Sequence, residues 1–187
     1  MDMILELSYN ESNLIAACIR GEEWAQRHVY EENYSSMMII ALRYANIEED
    51  ALDILHDGFI KIFNNIHKYQ LGSSFSAWIR RIMINAAIDY YRKEKRRKTE
   101  DLSTHFELDN KEVDVISKLG AEEILNALQQ LSYSYRSVFN LHVIEGYSHR
   151  EIAVLMNITE STCRSNLVKA RHKLKDILLK TDPKLAR

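Results

Sequence analysis

Apolar residues recur at helical spacing along most of the chain, and the breaks between these stripes divide it into successive helices. Leu14, Ile15, Cys18 and Ile19 form a first stripe that ends at Gly21. A second helix is expected over Tyr34 to Tyr44. A third is expected from about Glu48 to His67, with Leu52, Leu55, Phe59, Ile62, Phe63 and Ile66 on one side. Gly72 interrupts, and a long helix then starts near Ser74 with Phe75, Ile79, Ile82, Met83 and Ala86 as its core stripe. From Thr99 to about Leu119 the periodicity fades and acids accumulate, as in a linker. Two further helices follow, Ala121 to Leu131 and Tyr135 to Glu145, the second ended by Gly146. Ser148-His-Arg-Glu151 fits a capping box at the start of a helix running to Met156. After Asn157-Ile158, Thr159 is placed to cap a last helix from Glu160 to about Lys180. The pattern predicts an all-α chain of two small units, residues 10–98 and 121–180, joined by an acidic linker, 99–120.

Composition narrows the class further. Five glycines and one proline in 187 residues leave few sites for tight β-turns, which argues against a sandwich or barrel. Cys18 and Cys163 lie far apart without a CxxC pair, so they read as small buried side chains and not as a disulfide framework or zinc cluster. The N-terminal residues carry acids where a targeting segment has bases, and no apolar run has the length of a membrane span. The expectation is a cytoplasmic protein that is not itself a membrane protein.

Charge changes the picture more than composition does. A formal net charge of −2 conceals blocks of −9 over residues 1–57, +6 over 78–98, −6 over 99–124 and +4 over 136–175. Like charges concentrated on one element repel unless something opposite binds there. The two basic blocks suit a polyanion. The acidic N-terminal third suits a basic protein.

Two short helices joined by a three-residue turn, the second one basic, form a helix-turn-helix candidate. On the last helix Cys163, Leu167, Ala170, Leu174 and Ile177 define the inner face, leaving Arg164, Ser165, Val168, Lys169 and Arg171 outside. Arg164 has the forked donors that match guanine O6 and N7, and Val168 suits a thymine methyl. Ser161 and Thr162, at the helix start, suit a backbone phosphate. In the long basic helix Trp78, Arg81, Asn85, Asp89 and Arg92 share a second face, with Arg80 close by. An aromatic ring beside Arg and Asn suits unstacked bases.

These residues carry a family resemblance. The stretches Asp53-Ile-Leu-His-Asp-Gly-Phe-Ile-Lys-Ile-Phe63, Phe75-Ser-Ala-Trp-Ile-Arg-Arg-Ile82, Asn85 and Asp89-Tyr-Tyr-Arg-Lys93 resemble region 2 of bacterial sigma factors. Leu131-Ser-Tyr-Ser-Tyr-Arg-Ser-Val-Phe139, Glu145-Gly-Tyr-Ser-His-Arg-Glu-Ile-Ala153 and Ser161-Thr-Cys-Arg-Ser165 resemble region 4. Two such regions with only a short linker between them are similar to the extracytoplasmic-function group. The resemblance implies a region 2 helical bundle and a region 4 helix-turn-helix joined by a flexible acidic linker. It also implies core RNA polymerase and promoter DNA as partners, through the β′ clamp helices and the β flap, and an anti-sigma factor as regulator. By the same resemblance Asp53, His56 and Asp57 would bind the clamp. Asn65, His67, Lys68, Tyr69, Trp78, Arg80, Arg81, Asn85 and Arg92 would bind and melt the −10 element, with Tyr69 offering a stacking face to a flipped base. Ser161, Thr162, Arg164, Ser165, Val168, Lys169 and Arg171 would read the −35 element. The chain departs from the family at Ser132, where Leu-Pro is usual, at Met156-Asn157, where Leu-Gly is usual, and at His56, which replaces Gln.

Two other readings compete. His56-Asp57 matches the adjacent pair of HD-type metal phosphohydrolases, but the other histidines show no ligand grouping around it. No Gly-rich phosphate loop or Ser/His/Asp arrangement is visible, so no catalytic residue, metal, cofactor or small-molecule substrate is expected. A stand-alone helix-turn-helix regulator would bind duplex DNA without polymerase.

Overall fold

The computed structural model describes residues 11–100 and 119–181, all side chains included except those of 95, 97–100, 119–122 and 181. The expected linker falls mostly outside these residues, as do the side chains of Lys95, Arg97 and Lys98. Helices α1 (Glu11–Ile19), α2 (Glu23–Tyr44), α3 (Glu48–Asn65) and α4 (Phe75–Glu100) form the first unit, with a 3₁₀ turn at Ile66–Lys68. Helices α5 (Leu119–Gln129), α6 (Tyr133–Phe139), α7 (His149–Met156) and α8 (Glu160–Thr181) form the second. Among the described residues there is no strand.

Two elements differ from the sequence expectation. Helix α2 starts eleven residues earlier than its stripe suggests, at Glu23 and not Tyr34. Its first half buries only Ala25 and Val29, too few apolar positions to register as a periodic face. The helix expected over Tyr135 to Glu145 is α6 followed by a π-helical turn, Asn140–Ile144. That turn shifts the helical phase and ends at Gly146, whose φ of +76° favours glycine.

In the first unit α3 and α4 run side by side and α2 crosses them, burying Ile40, Tyr44, Ile54, Leu55, Ile62, Ile79 and Met83. Gly58 leaves room for the Met83 side chain of α4, whose sulfur and methyl occupy the space a Cβ would take. In the second unit Leu141, Ile152, Cys163 and Leu167 form the helix-turn-helix core. Leu128, Leu131, Ala170 and Leu174 form a separate cluster that ties α5 to α8. Asn157 takes the left-handed conformation (φ 52°) that lets the chain leave α7 and enter α8. Thus Asn fills the position where the family usually has Gly.

The two units share one continuous apolar cluster, which runs from Tyr44 and Ile84 into Val138 and Met156, and buried polar groups fix how they meet across it. Arg136 of α6 is fully buried; its Nη2 donates to the Tyr44 carbonyl (3.2 Å) and to Asn46 Oδ1 (2.6 Å). Its guanidinium also lies 5.1 Å from the centre of the Tyr133 ring. Burial pulls its pKa down to about 10, so it stays charged at neutral pH. Asn140 Nδ2 donates to the Arg43 carbonyl at 2.7 Å. Both side chains therefore serve carbonyls of the last turn of α2, which have no partner within the helix and carry its negative dipole end. In return Arg92 of α4 donates to the Leu155 carbonyl, in the last turn of α7 (2.5 Å). Tyr91 completes the contact, stacked on Tyr133 with ring centres 4.8 Å apart and its hydroxyl 3.0 Å from Ser134 Oγ.

The capping box at α7 is present. Glu151 N–H donates to Ser148 Oγ (3.2 Å), and Ser148 N–H donates to the Glu151 carboxylate (2.8 Å). The Ser148 hydroxyl and backbone bonds hold the Glu151 carboxyl below its ordinary range. A depressed carboxylate adds stability that is present above its unfolded pKa and lost as pH falls through the folded one. Ser148→Ala should therefore cost about 1 kcal/mol at neutral pH in denaturant unfolding. The gap to the unsubstituted chain should narrow below the ordinary carboxylate range; a gap independent of pH would contradict the shared bonding.

Candidate nucleic-acid interface

Three surfaces collect the candidate residues. The first is the outer face of α8. Its register is fixed by Cys163 and Leu167, buried in the helix-turn-helix core, and by Ala170, buried against α5, and its start by Thr159, whose Oγ1 accepts from Thr162 N–H (3.0 Å). Ser161, Thr162, Arg164, Ser165, Val168, Lys169 and Arg171 are all exposed. Val168 is an apolar side chain left 54% exposed among cations, as a base-edge contact requires. Arg164 is held along the helix by Glu160, an exposed pair that DNA phosphates or bases can displace at little cost. Behind this face His142 and His149 stack with ring centres 4.3 Å apart, and His149 Nδ1 lies 3.5 Å from Cys163 Sγ. Burial, then His142, Arg164 and Arg171, lower the His149 pKa from 6.5.

The second surface is formed by α4 and the turn before it. His67, Lys68 and Arg81 are exposed, and Asn85 is partly so. Asn65 is engaged locally, donating to the Lys61 carbonyl (2.8 Å) and accepting from Lys68 Nζ (2.7 Å). Tyr69 departs from the expectation that it offers a stacking face. It is only 7% exposed, its ring meets Phe75 edge-on at 4.9 Å, and its hydroxyl bonds Glu11 and the Ser73 carbonyl. An aromatic with a nearby carboxylate and carbonyl gains more by closing the core with its hydroxyl satisfied than by standing in solvent. Trp78 is half-buried and lies parallel to Phe75, 5.9 Å away. It is more accessible than Tyr69. Arg80 and Arg92 are only partly open, because the second unit takes part of each guanidinium.

The third surface is acidic. Asp53, His56 and Asp57 stand exposed on one face of α3 beside Ile60, an isoleucine left 58% exposed. They border a groove of about 480 Å³ whose other wall is Asp89, Tyr90, Lys93 and Arg96 of α4. Lys61 bridges the helices to Asp89 at 2.7 Å. Ile60 was legible only as an apolar residue on the polar side of α3, three positions after Asp57.

Two further groups escaped the sequence reading. Glu145, at the end of the π-helical turn, has a side chain only 3% exposed and accepts a two-pronged bond from Arg80: Nε at 2.9 Å and Nη2 at 2.8 Å. Arg43 of α2 approaches the same carboxylate at 3.4 Å. Arg43 sat within an apolar run, and nothing in the linear sequence pairs it with Glu145. Among the described residues no group of three His, Cys, Asp or Glu side chains could hold a metal ion, so His56-Asp57 stands without further ligands. No described helix is long and apolar enough to cross a membrane.

Comparison with known proteins matches residues 29–97 to the family described as sigma-70 region 2 and residues 121–174 to sigma-70 region 4. An ECF RNA polymerase sigma factor SigM from Bacillus subtilis is 30% identical over 128 residues, 67% of this chain and 77% of that protein. An ECF RNA polymerase sigma factor SigM from Mycobacterium tuberculosis is 23% identical over 169 residues, 90% of this chain and 85% of that protein. The fold resembles the sigma factor RpoE, solved in complex with the anti-sigma factor NepR from Bartonella quintana. The TM-score is 0.55 at 21% identity, covering 83% of this chain and 97% of that one.

The His142–His149 stack behind the reading face carries a pH dependence. With its folded pKa lowered, His149 adds stability that is complete above its unfolded pKa and declines as pH falls through the folded value. The second unit should lose stability between about pH 7.5 and about pH 5.5, and His149→Phe should reduce that loss. Unfolding followed at the two pH values tests this; an equal loss in both proteins would exclude His149 as its source.

Proposed function

The chain belongs to the extracytoplasmic-function group of sigma-70 factors, which binds core RNA polymerase and directs promoter-specific transcription initiation, and we propose how its three surfaces divide that work. The outer face of α8 reads the −35 element in the major groove, with Arg164 and Val168 on base edges and Ser161, Thr162 and Lys169 on phosphates. The turn after α3 and the outer face of α4 hold the −10 element, with Trp78 and Asn85 against unstacked bases and His67, Lys68, Arg81 and Arg92 on the backbone. Flipping a base out costs a few kcal/mol, and aromatic stacking offsets part of it. The acidic face of α3, with Ile60 at its centre, docks on a basic helical surface of polymerase. The chain carries out no reaction of its own and acts in the cytoplasm.

The observation that carries this division is the separation of charge by element. The exposed cations concentrate on α4 and α8, while Asp53 and Asp57 share the exposed face of α3 with one bare isoleucine. A face that repels DNA is of use only with a second, protein partner. A stand-alone regulator has no use for it and is not favoured. Because the structural neighbour was solved with its anti-sigma factor, we also propose an anti-sigma protein as this chain's regulator.

Promoter selection by holoenzyme on a library of sequences tests the assignment. Arg164→Ala should relax preference at one −35 base pair by about 1–3 kcal/mol, whereas an even loss across all sequences would make Arg164 a phosphate contact. Asn85→Ala should slow opening at the −10 element and leave polymerase affinity unchanged; weakened polymerase binding would remove Asn85 from the DNA surface.

A further inference from the structure

We infer that Arg43 and Arg80 form a phosphate clamp for promoter DNA, and that Glu145 of the second unit fills it while the two units are packed together. The inference rests on the DNA-reading assignment above and adds to it a regulatory state and one further binding residue, Arg43. Arg80 presents its guanidinium fork to Glu145 in the two-point geometry with which arginine also grips a phosphate. Arg43 stands on the other side of the same carboxylate, its side chain 12% exposed. Its Nε is buried and has no hydrogen-bond partner among the described residues. One carboxylate therefore leaves a donor unused that a third anionic oxygen could occupy. Exposed Arg81 also lines this cavity, of about 320 Å³. Glu145 and Glu151 of the second unit line it from the other side, and Arg43 adds its own guanidinium to Glu145 from behind, so Glu145 is the one carboxylate shared by two arginines.

The placement has a mechanical consequence. Glu145 belongs to the segment that leads into the helix-turn-helix, while Arg43 and Arg80 belong to the unit that holds the −10 element. The −10 and −35 elements are about 25 base pairs apart, roughly 85 Å of duplex. A compact chain of this length has a radius of gyration of only about 16 Å. The packed units cannot reach both elements at once. Residues 101–118 join α4 to α5, and a connection of 18 residues can extend to about 60 Å, so the covalent chain permits separation. On separation Glu145 leaves and the clamp faces solvent, ready for a DNA phosphate. Carboxylate and phosphate are thus alternative occupants, and the closed state withholds the −10 surface until something pulls the units apart.

The test uses the free full-length chain, with a fluorescent pair on the two units and a single-stranded −10 oligonucleotide as probe. Glu145→Gln takes the countercharge from the largely buried Arg43 and the half-open Arg80 in the closed state but costs nothing once both are solvated, so it favours opening. Relative to the unsubstituted chain it should lengthen the inter-unit distance and tighten oligonucleotide binding by about tenfold, the gain expected if the open form starts near 10% populated. Adding Arg43→Ala should cancel that gain. Arg136→Gln offers a second way to open the units without touching the clamp, and should give the same gain with the same dependence on Arg43. Unchanged distance and affinity in both Glu145→Gln and Arg136→Gln would overturn the closed state. Opening whose gain survives Arg43→Ala would overturn the clamp. Failure of the sigma assignment itself is read separately, as absence of polymerase-dependent initiation by the unsubstituted chain.

Discussion

A mutual capping of helix ends by arginine fixes how the two units meet across the apolar cluster they share. Arg136, fully buried in the second unit, gives its guanidinium to the end of α2 in the first. Arg92, in the first unit, gives its own to the end of α7 in the second. Each helix end would otherwise leave carbonyl oxygens unpaired in a region closed to water. Neither arginine needs this contact to remain satisfied, because both can be solvated when the units part. The apolar cluster shared by the units supplies attraction without direction, while the arginines make the contact specific and can be solvated when the units part.

That property suits a protein with two dissimilar partners. Under the proposed division of surfaces, a chain that lies along DNA at two points and docks on polymerase through a third face needs an extended working form. It also needs protection for its basic surfaces when no partner is present. Arg80 and Arg92, both assigned to the −10 element, are occupied in the packed form by Glu145 and by a helix carbonyl. The near-neutral sum of charges is thereby realised in space: part of the positive charge of one unit is covered by the other. The acidic face of α3 lies outside this contact and remains exposed.

Much of the fold was legible because its elements announce themselves locally. The capping box Ser148–Glu151, the break at Gly146 and the buried stripe of α8 are short-range signals, and all appear as expected. The outer face of α8 followed directly from that stripe. The first half of α2 was invisible because a helix that buries little there leaves little periodicity to detect. Tyr69 was misjudged for the opposite reason: its burial depends on Glu11 and Phe75, which sequence alone does not bring to it. The Arg43–Arg80–Glu145 cluster joins positions up to about a hundred residues apart, and such pairings carry no local signature. Local spacing determines which faces of α3, α4 and α8 are exposed, but not the contact that covers part of one of them.

The central claim is that this chain recognises promoters only in partnership with polymerase. Its most direct test mixes the purified chain with core RNA polymerase on a randomised promoter library and sequences the transcripts. The account predicts a stable complex and transcripts that start downstream of one recurring −35 and −10 pair. Sequence-specific binding of duplex DNA by the chain alone, with no transcripts in the presence of polymerase, would contradict it.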